Sequence, residues 1–367
     1  LDIVDENSSR PQILKELGGS YVNAKTTSFE NLKNSHPQID LILEAAGISK
    51  LDFELFSVLG SNGIYVLTGV PGKNGEVLAV KIDDTLPAHP QIGISDADVI
   101  YIEQVEGGLT RLATIFSSKY PDLIGPVRSA RVSDLDILAQ YGKVAFAYSG
   151  AQTKFRPKIH DANLFDLGAE REPASIYSRD PNRTEPTNLI LHAPALLEKA
   201  ASEGKIIEKV KPVGWEFGDM PSGGELITSA TVRWPASRYT FNWSTTEKRW
   251  LIDYLDKPDL DANGLQLGSK TILIQLVSIT DSEYHDRHGG VTPYSNTVGV
   301  GFGYLLRDGK AYKINWKRDS AESGTTFSTE SGASAKFAPG QIWVALTDKE
   351  PTFVKPNPVE SSPTKSK

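Results

Sequence analysis

The apolar runs of this chain change type part-way along it, which rules out a single repetitive architecture. Over residues 1–70 the runs are continuous, as in Ile39-Asp40-Leu41-Ile42-Leu43 and Ile64-Tyr65-Val66-Leu67, and stretches of helical spacing separate them, at 10–17 and 51–59. Continuous apolar strands alternating with helices indicate a parallel sheet covered on both faces. Over 225–350 the runs are short, regularly spaced and joined by turn residues, at 231–234, 239–243, 250–254, 271–276, 301–306, 311–316 and 342–346. Arg307-Asp308-Gly309-Lys310 has the Asp-Gly centre of a two-residue hairpin turn. That pattern suggests a mainly antiparallel sandwich or partly open barrel.

Between these regions the pattern is α+β. Strands are expected at 77–82, 99–105, 112–116 and 144–148. Ser133 is expected to cap a helix over 134–140, and a second helix starts at Pro194 and stops before Gly204. Residues 212–224 are rich in Gly and Pro and read as a linker. The tail, 351–367, is dominated by Pro, Ser, Thr and Lys and is expected to be disordered. A length of 367 residues fits several domains. The expected division is 1–70, an α/β fragment; 71–211, an α+β domain; the 212–224 linker; 225–350, a β-rich domain; and the tail. There is no internal repeat.

Composition removes several functions. A formal net charge of −7, with no basic run, argues against a nucleic-acid partner. The chain has no cysteine, so disulfides, thiol nucleophiles and Cys-based zinc sites are excluded. No apolar run approaches about 18 residues, so no transmembrane span is expected. No signal peptide is visible.

The densest concentration of chemistry is VEGGLTRLATIFSSKYPDLIGPVRSAR, residues 105–131. Charges at this density beside an apolar strand are costly to bury unless they pair or hold a ligand. Glu103 shares a strand face with Tyr101 and Val105, Glu106 opens a Gly-Gly turn, and Arg111 enters the next strand. Arg128, Ser129 and Arg131 stand just before a helix start, with Asp134 in its first turn. Guanidiniums beside free helix N–H groups suit a phosphate or carboxylate. The set Glu103, Glu106, Arg111, Arg128, Ser129, Arg131, Asp134 and Ser149 is therefore the candidate ligand site. The competing reading is an Arg–carboxylate network that satisfies itself and only fixes the turns.

Other motifs are weaker. Ser149 ends a strand, but a nucleophilic serine needs a base, the nearest in sequence is His160, and there is no G-x-S-x-G elbow. His285 and His288, with Asp281 and Asp286, have metal-ligand types but sit among turn residues, and no metal is expected. Asp259-x-Asp261-x-Asn263-Gly264 copies half a calcium loop, yet Lys270 stands where the bidentate Glu belongs, so a turn is expected. Gly299, Gly301 and Gly303 alternate within a strand and imply close packing or a bulge. Trp234, Trp243, Trp250 and Trp316 fall at strand positions typical of a core.

Two resemblances meet in this chain. ELGGSYV at 16–22, IDLILEAAG at 39–47 and NGIYVLTGV at 62–70 are similar to the cofactor half of medium-chain dehydrogenases of the glucose dehydrogenase type. The resemblance implies a nicotinamide cleft beside the strand ending in Glu44. No G-x-G-x-x-G accompanies it, and Asn7-Ser8-Ser9-Arg10 would face a 2′-phosphate only as a remnant, so no cofactor is expected.

From about residue 67 onward the chain resembles the YerB-like lipoprotein family, a bacterial envelope family of unknown function with a two-part domain. The residues that carry this are LAVKID at 78–83, AHPQIG at 88–93, DADVIY at 96–101, VEGGLTR at 105–111 and IGPVRSAR at 124–131. YTFNW at 239–243 and TVGVG at 297–301 continue it. Both families share the turn at 67–71, so a fusion joined there is the simplest reading. The resemblance implies an extracytoplasmic protein, membrane-anchored or secreted. The expected function is non-enzymatic binding of an anionic small molecule or of a wall or envelope component, with a protein partner as a further option. The alternatives are an envelope hydrolase or transferase using Glu103 or Glu106 as acid/base, which needs both carboxylates in one cleft, and an NADP-dependent oxidoreductase built on the first segment.

Overall fold

Consecutive residues of the strand Leu78–Asp83 bury into two different cores. Leu78, Val80 and Ile82 enter one, while Ala79 enters the other with Val77. A strand covered on both faces has no solvent side, which is why its sequence is an almost unbroken apolar run. This strand belongs to the central sheet of the computed structural model. The structure describes residues 75–286 and 289–356. Within the first 74 residues it describes Asn34 and four strands.

The chain divides into two compact units, residues 1–74 and 75–367. In the first, Asp2–Asp5 pairs in parallel with Ser20–Asn23, and Ile39–Glu44 pairs in parallel with Leu59–Leu67. The parallel pairing expected from the continuous apolar runs is present. Leu59, expected to close a helix at 51–59, instead opens a strand; the other residues of that expected helix and the one expected at 10–17 lie outside the described residues.

The second unit is mostly β and is built on one mixed sheet. Its strand order is Leu164–Asp166, Val144–Ala147, Leu78–Asp83, Thr110–Phe116, Val99–Gln104, Ile342–Thr347, Thr271–Leu276, Gly299–Arg307, Lys310–Arg318 and Glu225–Leu226. Thr326–Thr329 also pairs with Lys310–Arg318. The strands on either side of the 212–224 segment therefore share one sheet, joined where Val99–Gln104 runs parallel to Ile342–Thr347. A separate antiparallel sheet, centred on Ser229–Trp234, Ser237–Ser244 and Arg249–Tyr254, packs over one face. Trp250 and Tyr239 are wholly buried between the sheets, with Trp343 opposite. The helix Val132–Ala139 and the antiparallel hairpin Ser278–His285/Val291–Asn296 cover the other face.

Three local expectations change. The segment 212–224, read as a linker, carries a strand: Glu216–Phe217 pairs with Lys336–Phe337 in a two-stranded sheet of their own, and Trp215 stacks on Phe337 with ring centroids 5.0 Å apart. The tail begins with a strand, Thr352–Val354, paired with Ser229–Trp234. The helix expected at 134–140 starts at Val132, and Arg131, not Ser133, is its cap residue. Ser133 is buried, and its hydroxyl accepts the Ser295 N–H at 3.0 Å. Other expectations hold. Asp308 and Gly309 both have positive φ, as a two-residue hairpin turn requires. A Cβ on Gly303 would lie 2.2 Å from the Ile274 carbonyl oxygen, so close packing explains that glycine. Trp234, Trp250 and Trp316 are buried, whereas Trp243 is only partly buried and packs against the core.

Candidate functional site

Strand register sets up the site. Asp83 lies opposite Arg111, and Arg111 lies opposite Glu103, so three adjacent strands place one row of charges side by side. One step along the sheet, Lys81 pairs with Ala113. Lys81, Glu103 and Asp134 are wholly buried together. The Lys81 ammonium bonds the Glu103 carboxylate and donates to Asp134 Oδ1 at 2.8 Å. Asp134 Oδ2 accepts the Arg131 backbone N–H at 2.6 Å. One carboxylate thus ties the interior ammonium to the turn that carries Arg131. Burial, with the Asp134 charge beside it and Lys81 opposing, pushes the Glu103 carboxyl up to about 7.

Three guanidiniums lie outward of this triad. Arg111 Nη1 donates to the Ser129 carbonyl at 2.9 Å, and Arg131 Nη1 reaches the same oxygen at 3.3 Å and the Ala130 carbonyl at 2.9 Å. Two like charges therefore share one acceptor. Arg131 is also paired with Glu106, through Nη2 at 2.7 Å and Nε at 2.9 Å, and Glu106 accepts the Thr292 hydroxyl as well. Burial opposes ionisation of Glu106, but Arg131 and Thr292 outweigh it and hold the carboxyl below its ordinary range. Arg128 Nε lies 3.0 Å from Asp83 Oδ2, yet neither atom makes a hydrogen bond. Among the described residues Arg111 has no carboxylate within ion-pair distance. Burial, with Arg131 and Arg128 nearby, lowers its guanidinium to about 9, the sign of a cation short of compensating charge.

These side chains line a cleft of about 920 Å³. Glu106, Arg111, Arg128, Ser129 and Arg131 form one side of its lining. Phe155 and the hairpin residues Tyr284, His285 and Thr292 also face it. The Phe155 and Tyr284 rings touch at 5.2 Å between centroids. The Gly107-Gly108 turn that carries Glu106 is tight: both glycines have positive φ, and a Cβ on Gly108 would lie 2.4 Å from Pro235 Cβ.

Five of the eight expected site residues meet in this cleft. Glu103 and Asp134 do not line it; both are bonded to Lys81 in the interior. The carboxylate pair needed for acid/base chemistry by Glu103 and Glu106 is therefore not in one cleft. Ser149 does not line it either. Its backbone N–H donates to the Arg128 carbonyl at 2.9 Å, and so braces the arginine loop. His160 is exposed on the short helix Arg156–Asp161, and no hydrogen bond joins it to Ser149 among the described residues.

His285 lines the cleft, Asp286 accepts the Gly290 N–H at 2.8 Å, and His288 lies outside the described residues. No group of three metal-ligating side chains is present among the described residues. Asp261 behaves as the expected turn residue, accepting the Asn263 and Leu265 N–H groups at 2.8 and 3.0 Å.

Sequence reasoning missed a second polar cluster. Asp84 Oδ1 accepts the Tyr239 hydroxyl at 2.6 Å and lies 3.2 Å from His89 Nε2 and 3.3 Å from Gln91 Nε2; Asp84 Oδ2 accepts the Thr110 hydroxyl. His89 Nδ1 lies 2.7 Å from Asp259 Oδ1, and the imidazole stacks on Tyr254 with centroids 4.2 Å apart. Burial disfavours the imidazolium, but bonds to Asp259 and Asp84 outweigh it and lift the group to about 10. Both ring nitrogens are engaged, so His89 acts as a clamp between the segments that carry Asp84 and Asp259.

Matches of three kinds place the chain among known proteins. Two family profiles fit in order: the N-terminal domain of a protein of unknown function (DUF3048) over residues 67–206, and its C-terminal domain over 230–344. The profile of the glucose dehydrogenase C-terminus fits residues 1–92, overlapping the first of these at 67–92. The chain is 22% identical to a putative lipoprotein, YerB of Bacillus subtilis, over 73% of its own length and 80% of the relative's. It is 28% identical to a glucose 1-dehydrogenase of Methanocella arvoryzae, over 34% of its own length and 35% of that enzyme's. The crystal structure of Bacillus subtilis YerB superposes with a TM-score of 0.65 at 20% identity, covering 77% of this chain and 94% of that one. The two domain profiles, in order and together spanning most of the chain, make it a member of the DUF3048 family.

Proposed function

We propose that this chain is a non-enzymatic binding module of the cell envelope, and that its cleft takes an anionic ligand. The observation that carries the reading is the sharing of the Ser129 carbonyl by Arg111 and Arg131, with no carboxylate at ion-pair distance from Arg111 among the described residues. A self-satisfied structural network would end each buried cation on an anion, because an unpaired buried charge costs several kcal/mol. A ligand anion supplies the missing partner. The envelope location rests on the relative's description as a putative lipoprotein. Among the described residues no helix is long and apolar enough to cross a membrane.

The test is a thermal-shift series on the full chain with phosphates, carboxylates and wall fragments. A ligand that binds only the folded state raises the melting temperature. The expected result is a shift with at least one anion that disappears in Arg111→Gln. No shift with any anion would return the cluster to a structural role.

A further inference from the structure

Building on the anionic-ligand reading, we infer that the ligand presents a phosphate ester carried on a sugar, polyol or glycerol body. The first argument is the count of idle donors. A guanidinium offers five N–H donors in a planar fork. Arg131 spends its fork on Glu106, Ser129 and Ala130. Among the described residues the Arg111 guanidinium makes one hydrogen bond, to Ser129, and that of Arg128 makes none, its buried Nε lying 3.0 Å from Asp83. The unspent donors thus belong to two separate forks that face one cleft.

The second argument is shape. A carboxylate holds its two oxygens and their lone pairs in one plane, so a bidentate pair with one fork leaves only in-plane lone pairs for the second. The oxygens of a phosphate point along tetrahedral directions and accept from two or three forks in different planes. The third argument is size and lining. A cleft of about 920 Å³ lies in the range of small-molecule sites and exceeds what a bare anion needs. Beyond the arginines it is lined by Leu109, Phe155, Pro186 and Tyr284. These suit the carbon framework of a body attached to the phosphate. Soluble sugar phosphates, wall polymers and lipid headgroups share this chemistry.

The experiment is calorimetric titration of the full chain with matched pairs: glycerol 3-phosphate against glycerate, and glucose 1-phosphate against glucuronate. Co-sedimentation with phosphatidylglycerol vesicles, against phosphatidylcholine vesicles, separates a lipid source from a soluble one. The phosphate member of each pair should bind at least tenfold more tightly. Arg128→Gln should remove that preference, and Arg128→Lys should fail to restore it, because a point charge lacks the fork. Thr153→Glu places a repelling charge on an exposed residue of the cleft lining and should weaken phosphate binding without disturbing the fold, so the idea stays testable if the arginine variants unfold. Carboxylates that match or exceed their phosphate partners would overturn the phosphate assignment and leave the anion cleft standing. Silence in every arm, vesicles included, would overturn both.

Discussion

Asp83 and Asp84 are consecutive and wholly buried, yet they serve clusters of opposite character. Asp84 enters the cluster with His89, Tyr239, Thr110 and Asp259, where both of its carboxylate oxygens are bonded. Asp83 is paired with Arg128, which lines the cleft where the donors outnumber the acceptors. The ingredients are alike, but only the first set is closed in charge: its cation, His89, meets carboxylates at both ring nitrogens, and the atoms left without a hydrogen bond, Asp259 Oδ2 and Gln91 Oε1, are acceptors. A closed buried network pins segments together. One with spare donors beside a cavity holds free energy that a ligand can release. The two clusters should therefore separate when mutated, one reporting in stability and the other in binding.

Asp84→Ala should be the most damaging change. It removes the common acceptor of His89, Tyr239 and Thr110 and leaves buried donors without partners. A loss of about 3–5 kcal/mol in denaturant unfolding is expected, with anion affinity within about twofold in the protein that remains folded. Loss of binding at unchanged stability would break the comparison.

His89→Asn comes next, and its effect should depend on pH. The folded-state value of His89, about 10, lies above the ordinary value of 6.5. Between these values the native protein holds a proton that the unfolded chain releases. The stabilisation is complete below pH 6.5 and is lost as pH rises towards 10. The difference in unfolding free energy between wild type and His89→Asn should therefore be largest near pH 6 and shrink steadily as pH rises from about 6.5 towards 10, by on the order of 2 kcal/mol. A difference that stays constant between pH 6 and pH 10 would mean that His89 is not held charged.

Arg111→Gln should show the reverse signature. Removing a buried cation that lacks a carboxylate partner changes stability by less than about 1 kcal/mol and can raise it. Anion affinity should fall at least tenfold in the same titrations. A destabilisation as large as that of Asp84→Ala would place Arg111 in the structural class and erase the contrast.

The open cluster was legible in sequence because its residues are local. Arg111, Arg128, Ser129 and Arg131 fall within one short stretch, and their density beside an apolar strand marks them. The closed cluster was not, because its partners are far apart in the chain: His89 and Asp259, or Asp84 and Tyr239, meet only when the second sheet folds over the first. Lys81 lay between these cases. Its strand reads Leu78-Ala79-Val80-Lys81-Ile82-Asp83, and the alternation puts Ala79, Lys81 and Asp83 on the helix-covered face. Without the register, nothing said that Glu103 and Asp134 would meet Lys81 there and so be drawn away from the cleft. The pairing of the 212–224 segment is hidden for a similar reason. Its Gly and Pro content is real, but Trp215 and Phe217 find Phe337, which no local pattern reveals.

The finest separation uses Asp83 itself. Asp83→Asn keeps an oxygen for the Thr85 N–H, which Asp83 Oδ1 accepts at 3.1 Å, and removes only the negative charge that Arg128 faces at 3.0 Å. That pair is partly open to solvent on the arginine side, so its coupling is worth about 0.2–1 kcal/mol. A ligand anion competes with Asp83 for Arg128, and neutralising the competitor should tighten anion binding by about 1.5- to 5-fold, most clearly at low salt. The neighbouring change, Asp84→Asn, alters no cleft charge partner and should weaken the fold without tightening binding. If Asp83→Asn instead lowers affinity, Asp83 is positioning Arg128 for the ligand rather than competing with it, and the cleft is a built receptor whose carboxylates belong to the binding geometry.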